Sequence, residues 1–250
     1  MNKNRMSAVR VVLTTLCSVW CSVIFSQSEF SSAGRKMLSE WVAGVSVSAQ
    51  DVANYGIDRC FESLPIDGVM YERIKGLSYK DNCTVSLDEL RYIKLLHYDA
   101  NGQIAIGEMI CNKKISADLL YIFRELFDAK YPIERVRLVD EYGADDNLSM
   151  INNNSSAFNF RFISGTKRLS KHSLGLAVDI NPLYNPYVKN IGDRVVIEPI
   201  EAQEYVDRSK AFRYKIDTSD LCYRLFSERG FEWGGSWSSL KDYQHFEKIE

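Results

Sequence analysis

Two apolar runs, Leu90–Tyr98 and Gln103–Cys111, flank the tetrapeptide Asp99-Ala-Asn-Gly102. Asn-Gly between apolar segments is a strong hairpin signal, because both residues accept the positive φ that a tight turn needs. The pattern then changes period. Over Ser116–Lys130, Leu119, Leu120, Phe123, Leu126 and Phe127 recur at intervals of three and four, which predicts a helix with Ser116 as N-cap and Pro132 beyond its end. Ile133–Val139, Phe158–Ile163 and Gly175–Ile180 read as strands, and Phe231–Trp233 begins the last one. Asp140–Asn154 reads as a polar loop in which Asp145 and Asp146 make a turn. The stretch 181–188, with Pro182 and Pro186, reads as irregular, and Ser219–Arg229 as a helix closed by Gly230. A hairpin, then a helix, then further strands implies an α+β fold with a central antiparallel sheet and flanking helices.

The ends of the chain read differently. Lys3, Arg5 and Arg10 precede an apolar run, Val11–Phe25, with small residues at Ser26 and Ser28. That is the layout of a secretory signal peptide over 1–26, and it is short of the roughly 20 residues a spanning helix needs. The mature chain is therefore expected outside the cytoplasm, periplasmic or extracellular, without stable membrane insertion. Residues 27–83 form a lead-in of unassigned role, with a helix around Arg35–Val42, and 84–250 the main domain. Aromatic residues at 12% rule out disorder as the main state, and a net charge of -2 gives no support for nucleic-acid binding. Export would permit disulfides among Cys60, Cys83, Cys111 and Cys222; Cys60–Cys83, closest in sequence, is the favoured pair.

The chemistry concentrates in two segments. The first is Ser170-Lys-His172-Ser-Leu-Gly175-Leu-Ala177-Val-Asp179. At period two, Leu176, Val178 and Ile180 face the core, while Gly175, Ala177 and Asp179 share a nearly bare face with room for an ion and an extended substrate. His172 has the wrong parity, so the chain must bend near Ser173–Leu174 to bring it beside Asp179. The second is Trp233-Gly-Gly-Ser-Trp237 followed by Asp242-Tyr-Gln-His245-Phe-Glu247. Two imidazoles and a carboxylate from His172, Asp179 and His245 make a three-ligand zinc site with a fourth position open, the pattern of a catalytic site. Asp242 is the candidate proton carrier and Arg161 the candidate partner for a developing oxyanion. Ser170 and Trp237 are substrate-facing candidates, each with a structural counterpart in loop orientation or core packing. His97 reads as a core residue, Trp233 as core, and Tyr184 and Tyr187 as loop residues near the cleft.

The motif S-x-H-x-x-G-x-A-x-D, followed by a Trp-rich stretch and acid-x-x-H, resembles the zinc D,D-peptidases of the VanX/VanY type, with their Hedgehog-like fold. Ser170, His172, Gly175, Ala177, Asp179, Trp237, Asp242 and His245 match it. The resemblance is firm from about Asn147 to Glu250 and suggestive over Thr84–Val139. It implies one zinc per chain held by His172, Asp179 and His245, Asp242 as general base, and Arg161 as the family's arginine. The implied substrate is the peptide stem of peptidoglycan, cut at D-Ala–D-Ala or at L-Ala–D-Glu; a monomer is expected, although no residue pattern speaks to oligomeric state. Asp rather than Glu at 242 resembles the endopeptidase branch. A catalytically silent zinc module that binds cell-wall peptide is the alternative.

Overall fold

The computed structural model describes residues 33–163 and 166–249, so the leader read at 1–26 lies outside the described residues. The expected hairpin is the spine of the fold. Around it, the lead-in supplies helix α1 (33–40), strand β1 (Ser46–Val47), helix α2 (Ala49–Tyr55), strand β2 (Glu62–Pro65) and helix α3 (Gly68–Ile74). Strands β3 (Leu90–Tyr98) and β4 (Ile104–Asn112) pair antiparallel along nine residues. The Asp99 carboxylate accepts the backbone N–H groups of Asn101 and Gln103, and Gly102 takes a φ of 73°, so the turn closes as sequence chemistry requires. The lead-in strands complete the sheet in the order β1-β4-β3-β2.

β4 is buried at every position, because both faces of the sheet are covered. One face carries Ile93, Leu95, Met109 and Cys111 against Ile115, Leu119, Ile122, Phe123 and Leu126 of helix α4 (Lys113–Asp128). The other carries Leu90, Leu96, Ile106 and Ile110 against Leu38, Trp41, Met70 and Ile74 of the lead-in and Phe158 and Phe160. Glu108 points into this second core at 1% exposure. It is held by two Arg73 bonds of 3.0 and 2.6 Å and by the Tyr92 hydroxyl at 2.6 Å. A buried carboxylate needs such partners.

α4 starts three residues before Ser116. Asn112, the last residue of β4, caps it by accepting the Lys114 N–H, while Ser116 donates to Lys113 O inside the first turn. Beyond α4, the expected strand over 133–139 shrinks to β5 (Arg135–Val136). The expected loop 140–154 contains helix α5 (Asp146–Ile151), capped by Asp145, and strand β6 (Asn154–Ser155), parallel to β5. Asn153 and Asn154 are buried and bond to Glu134, Arg137, Ser149 and Leu183. They are scaffolding, not loop.

The rest of the chain builds the site. Strand β7 (Ala177–Asp179) leads to the hairpin β8 (Tyr187–Ile191) and β9 (Arg194–Glu198), then helix α6 (Leu221–Glu228) and β10 (Phe231–Trp233). Two further strands follow, β11 (Lys241–Asp242) and β12 (His245–Lys248), so β10 is not the last. They form antiparallel sheets β10-β12-β7 and β11-β8-β9. Phe246 of β12 stacks on Phe226 of α6 at 4.3 Å, tying the first of these sheets into the α4 core. The favoured Cys60–Cys83 bridge is not formed. Cys60, Cys83, Cys111 and Cys222 are free, and the Cys60 thiol, pushed up to about 11 by burial, donates to Gly56 O. No helix among the described residues is long and apolar enough to cross a membrane.

Candidate metal centre

Three backbone devices bring the candidate ligands together. Ser170 caps a short 3-10 turn, Lys171–Leu174, its hydroxyl accepting the His172 N–H at 3.2 Å. Gly175 ends that turn in the left-handed region, φ 65°, which supplies the bend expected between His172 and Asp179. A Cβ on Gly175 would lie 2.6 Å from Asn112 N. The glycine thus serves the turn and its contact with β4, and it does not open room for substrate. β7 then sits between Ser156 and β12: Asp179 exchanges both backbone bonds with Ser156 and lies opposite His245.

The donor atoms converge on one point. His172 Nε2 lies 3.1 Å from His245 Nδ1 and 3.2 Å from Asp179 Oδ2, and His245 Nδ1 lies 3.1 Å from Asp179 Oδ1. Zinc bonds of about 2.0–2.1 Å in a tetrahedron separate ligands by roughly 3.3 Å. The triangle therefore has the size of three corners of a zinc shell. The tautomers decide the fit. His172 Nδ1 faces Ala157 O at 2.5 Å, and His245 Nε2 faces the Glu247 carboxylate at 3.1 Å. Each of these nitrogens must carry a proton to satisfy its acceptor, which leaves His172 Nε2 and His245 Nδ1 bare in the neutral rings. Two lone pairs and a carboxylate then point at one another in a buried setting. A positive charge reconciles them, either a metal ion or a proton held within the triangle. The titration directions describe the proton. Burial would lift the Asp179 carboxyl, but both imidazoles hold it far below the usual range. Burial would lower His245, but its bonds to Asp179 and Glu247 carry it up to about 10.

Beside this triangle, burial pushes the Asp242 carboxyl up to about 7 against the opposing charge of His245, and its Oδ1 has no hydrogen-bond partner. A Cβ at Gly234 would meet Asp242 O at 2.6 Å, so that glycine permits the close approach of β11.

Residues 164–248 match the family model of D-alanyl-D-alanine carboxypeptidase. The match bears out the resemblance read from the two motifs. The carboxypeptidase-like segment contains His172, Asp179, Asp242 and His245, while Arg161 and the β3–β4 hairpin precede it. No curated protein and no solved structure matches the chain.

Around the carboxypeptidase-like segment, the other expected site residues fall as follows. The Arg161 backbone is clamped by the Ser173 hydroxyl on both its N–H and its carbonyl, and its positive charge reaches Asp242. Its guanidinium pairs with Asp146, whose other oxygen accepts the Asn159 amide at 3.0 Å. Asp146, read as a turn residue, is thus part of the site's surroundings. Ser170 is 7% exposed and spends its hydroxyl on the His172 loop. Trp237 stands half-buried, its ring 5.4 Å from that of His245 and its N–H on Glu232, whereas Trp233 is core and bonds Tyr243 O. Tyr187 is a β8 residue paired with Asp242, and Tyr184 packs on Tyr205 and Tyr214. His97 is buried on Ile133 O. Glu247 was legible only by parity: it shares a β12 face with His245.

Proposed function

We propose that the chain is an exported zinc metallopeptidase that hydrolyses an amide bond in the peptide stem of peptidoglycan. The observation that carries this reading is the convergence of His172 Nε2, His245 Nδ1 and the Asp179 carboxylate beside Asp242, whose buried Oδ1 has no partner. His172, Asp179 and His245 would hold one zinc. Zinc in such a site supplies Lewis acidity, polarising a carbonyl and acidifying water.

The chain's own residues do the rest. Asp242 Oδ1 accepts a proton from the attacking water and returns it to the departing amine. Burial favours the protonated form of this carboxyl, which suits a group that must hold the proton between the two halves of that task. Arg161, oriented by Asp146, faces the charge that develops on the carbonyl oxygen. Trp237 offers an aromatic shelf beside His245, and Ser170 holds the His172 loop in register. Asp at position 242 inclines the choice of bond towards L-Ala–D-Glu over D-Ala–D-Ala.

The test is purified mature protein incubated with defined muropeptides, with zinc counted on the same sample and products weighed by mass spectrometry. One zinc per chain and a single cleaved stem bond are expected, with activity lost on chelation and restored by zinc. Stoichiometric zinc without cleavage of any muropeptide would replace the enzyme with a binding module. No zinc would refute the ligand set.

A further inference from the structure

Glu247 has no part in the proton transfers assigned above, yet it makes a close contact with a proposed ligand. Its Oε2 lies 3.1 Å from His245 Nε2, on the side of the ring turned away from His172 and Asp179. The contact is built into the strand. His245 and Glu247 are two residues apart in β12 and share a face. Across the ladder, His245 opposes Asp179 and Glu247 opposes Ala177. Ala177 is fully buried, so the residue directly across the ladder from Glu247 is a small one. The two imidazoles are held differently: His172 by a neutral backbone carbonyl, His245 by a charged group.

We propose that Glu247 is a positioning residue for the metal centre, fixing His245 as the tautomer with its proton on Nε2 and its lone pair on Nδ1. This rests on the zinc reading of the site. A carboxylate behind a ligating imidazole orients the ring and raises its basicity. With both imidazoles neutral, Asp179 and Glu247 together balance the charge of one divalent cation, which ties the site's electrostatics to both strands.

The experiment compares full-length mature wild type with Glu247→Ala and Glu247→Gln. Zinc affinity is read by competition with a chromophoric chelator, folding by circular dichroism, and tautomers by long-range 1H–15N correlation of the zinc-loaded imidazoles. The chain has only 3 His, so the spectrum is assignable. Wild type should show His245 protonated at Nε2. Glu247→Ala should fold and bind zinc about 10–100-fold more weakly, with Glu247→Gln between the two. Zinc affinity unchanged within twofold in a folded Ala or Gln variant would overturn the proposal, as would a wild-type His245 protonated at Nδ1. Wild type that binds no zinc would instead sink the reading on which the proposal rests.

Discussion

Replacing Asp242 by Asn should abolish the proposed peptidase activity and stabilise the protein, and the two effects can be measured apart. Burial lifts the Asp242 carboxyl from 3.8 to about 7, so the folded state prefers it protonated while the unfolded chain ionises it near its ordinary value. A folded-state pKa raised in this way costs no stability below the unfolded pKa and its full penalty above the folded one. A rise of roughly three pH units at about 1.4 kcal/mol each is about 4 kcal/mol, and partial solvent contact of the side chain brings the expectation to about 2–4. Asn has the same shape and no charge. In chelator-treated protein at pH 8, Asp242→Asn should therefore melt roughly 4–16 °C higher than wild type, at about 2–4 °C per kcal/mol for a chain of this size. Repeating the melts downwards in pH should shrink the gap through pH 7 and close it near pH 4. In zinc-loaded protein, the same variant should keep its metal and lose about 10²–10⁴-fold in kcat/KM. A variant no more stable than wild type at pH 8, or a gap that does not vary with pH, would refute the claim that Asp242 is a carboxyl held out of its ordinary range.

Three other substitutions probe the frame. Arg73→Met leaves Glu108 in the second core with only the Tyr92 hydroxyl and no opposite charge, and should cost about 3–5 kcal/mol in urea unfolding, in one transition, because β1 and β2 of the lead-in belong to the same sheet as β3 and β4. Two separate transitions would show the lead-in to be an independent unit. Gly175→Ala must hold a side chain at φ 65° against Asn112 N, and should lose more than the roughly 1–2 kcal/mol of the left-handed conformation alone and weaken zinc binding through the His172 turn. Asp146→Asn keeps an acceptor for Asn159 but removes the charge that orients Arg161. A part-exposed ion pair of about 0.2–1 kcal/mol predicts a fall in kcat of up to roughly fivefold with zinc content unchanged, and lost zinc would place Asp146 in the scaffold instead.

The parts of this protein that sequence discloses are those governed by neighbours in the chain. The β3–β4 hairpin follows from two apolar runs and a turn, and the bend after His172 follows from a parity conflict that Gly175 resolves. Where several partners share one position, local rules mislead. Ser116 has the chemistry of an N-cap, but β4 continues to Asn112, so the cap falls where the strand ends. Phe158–Ile163 has strand composition, yet the N–H groups of Phe158, Asn159 and Phe160 go in turn to Ile110, His172 and Ser78, and its one pairing is the isolated Phe162–Leu169 bridge. Gly175 does lack bulk for a reason, but the space goes to the Asn112 backbone. The same division runs through the site. The approach of His172, Asp179 and His245 is legible because each motif fixes its own parity, and one antiparallel register between β7 and β12 then sets Asp179 opposite His245. Asp146 is not, because nothing local distinguishes an acid that pairs with Arg161 from an acid that opens a helix, and the sequence 145–146 supplies one of each. The residues that orient the proposed zinc chemistry thus come from strand register and loop packing, and they carry their signal only once the sheet is assembled.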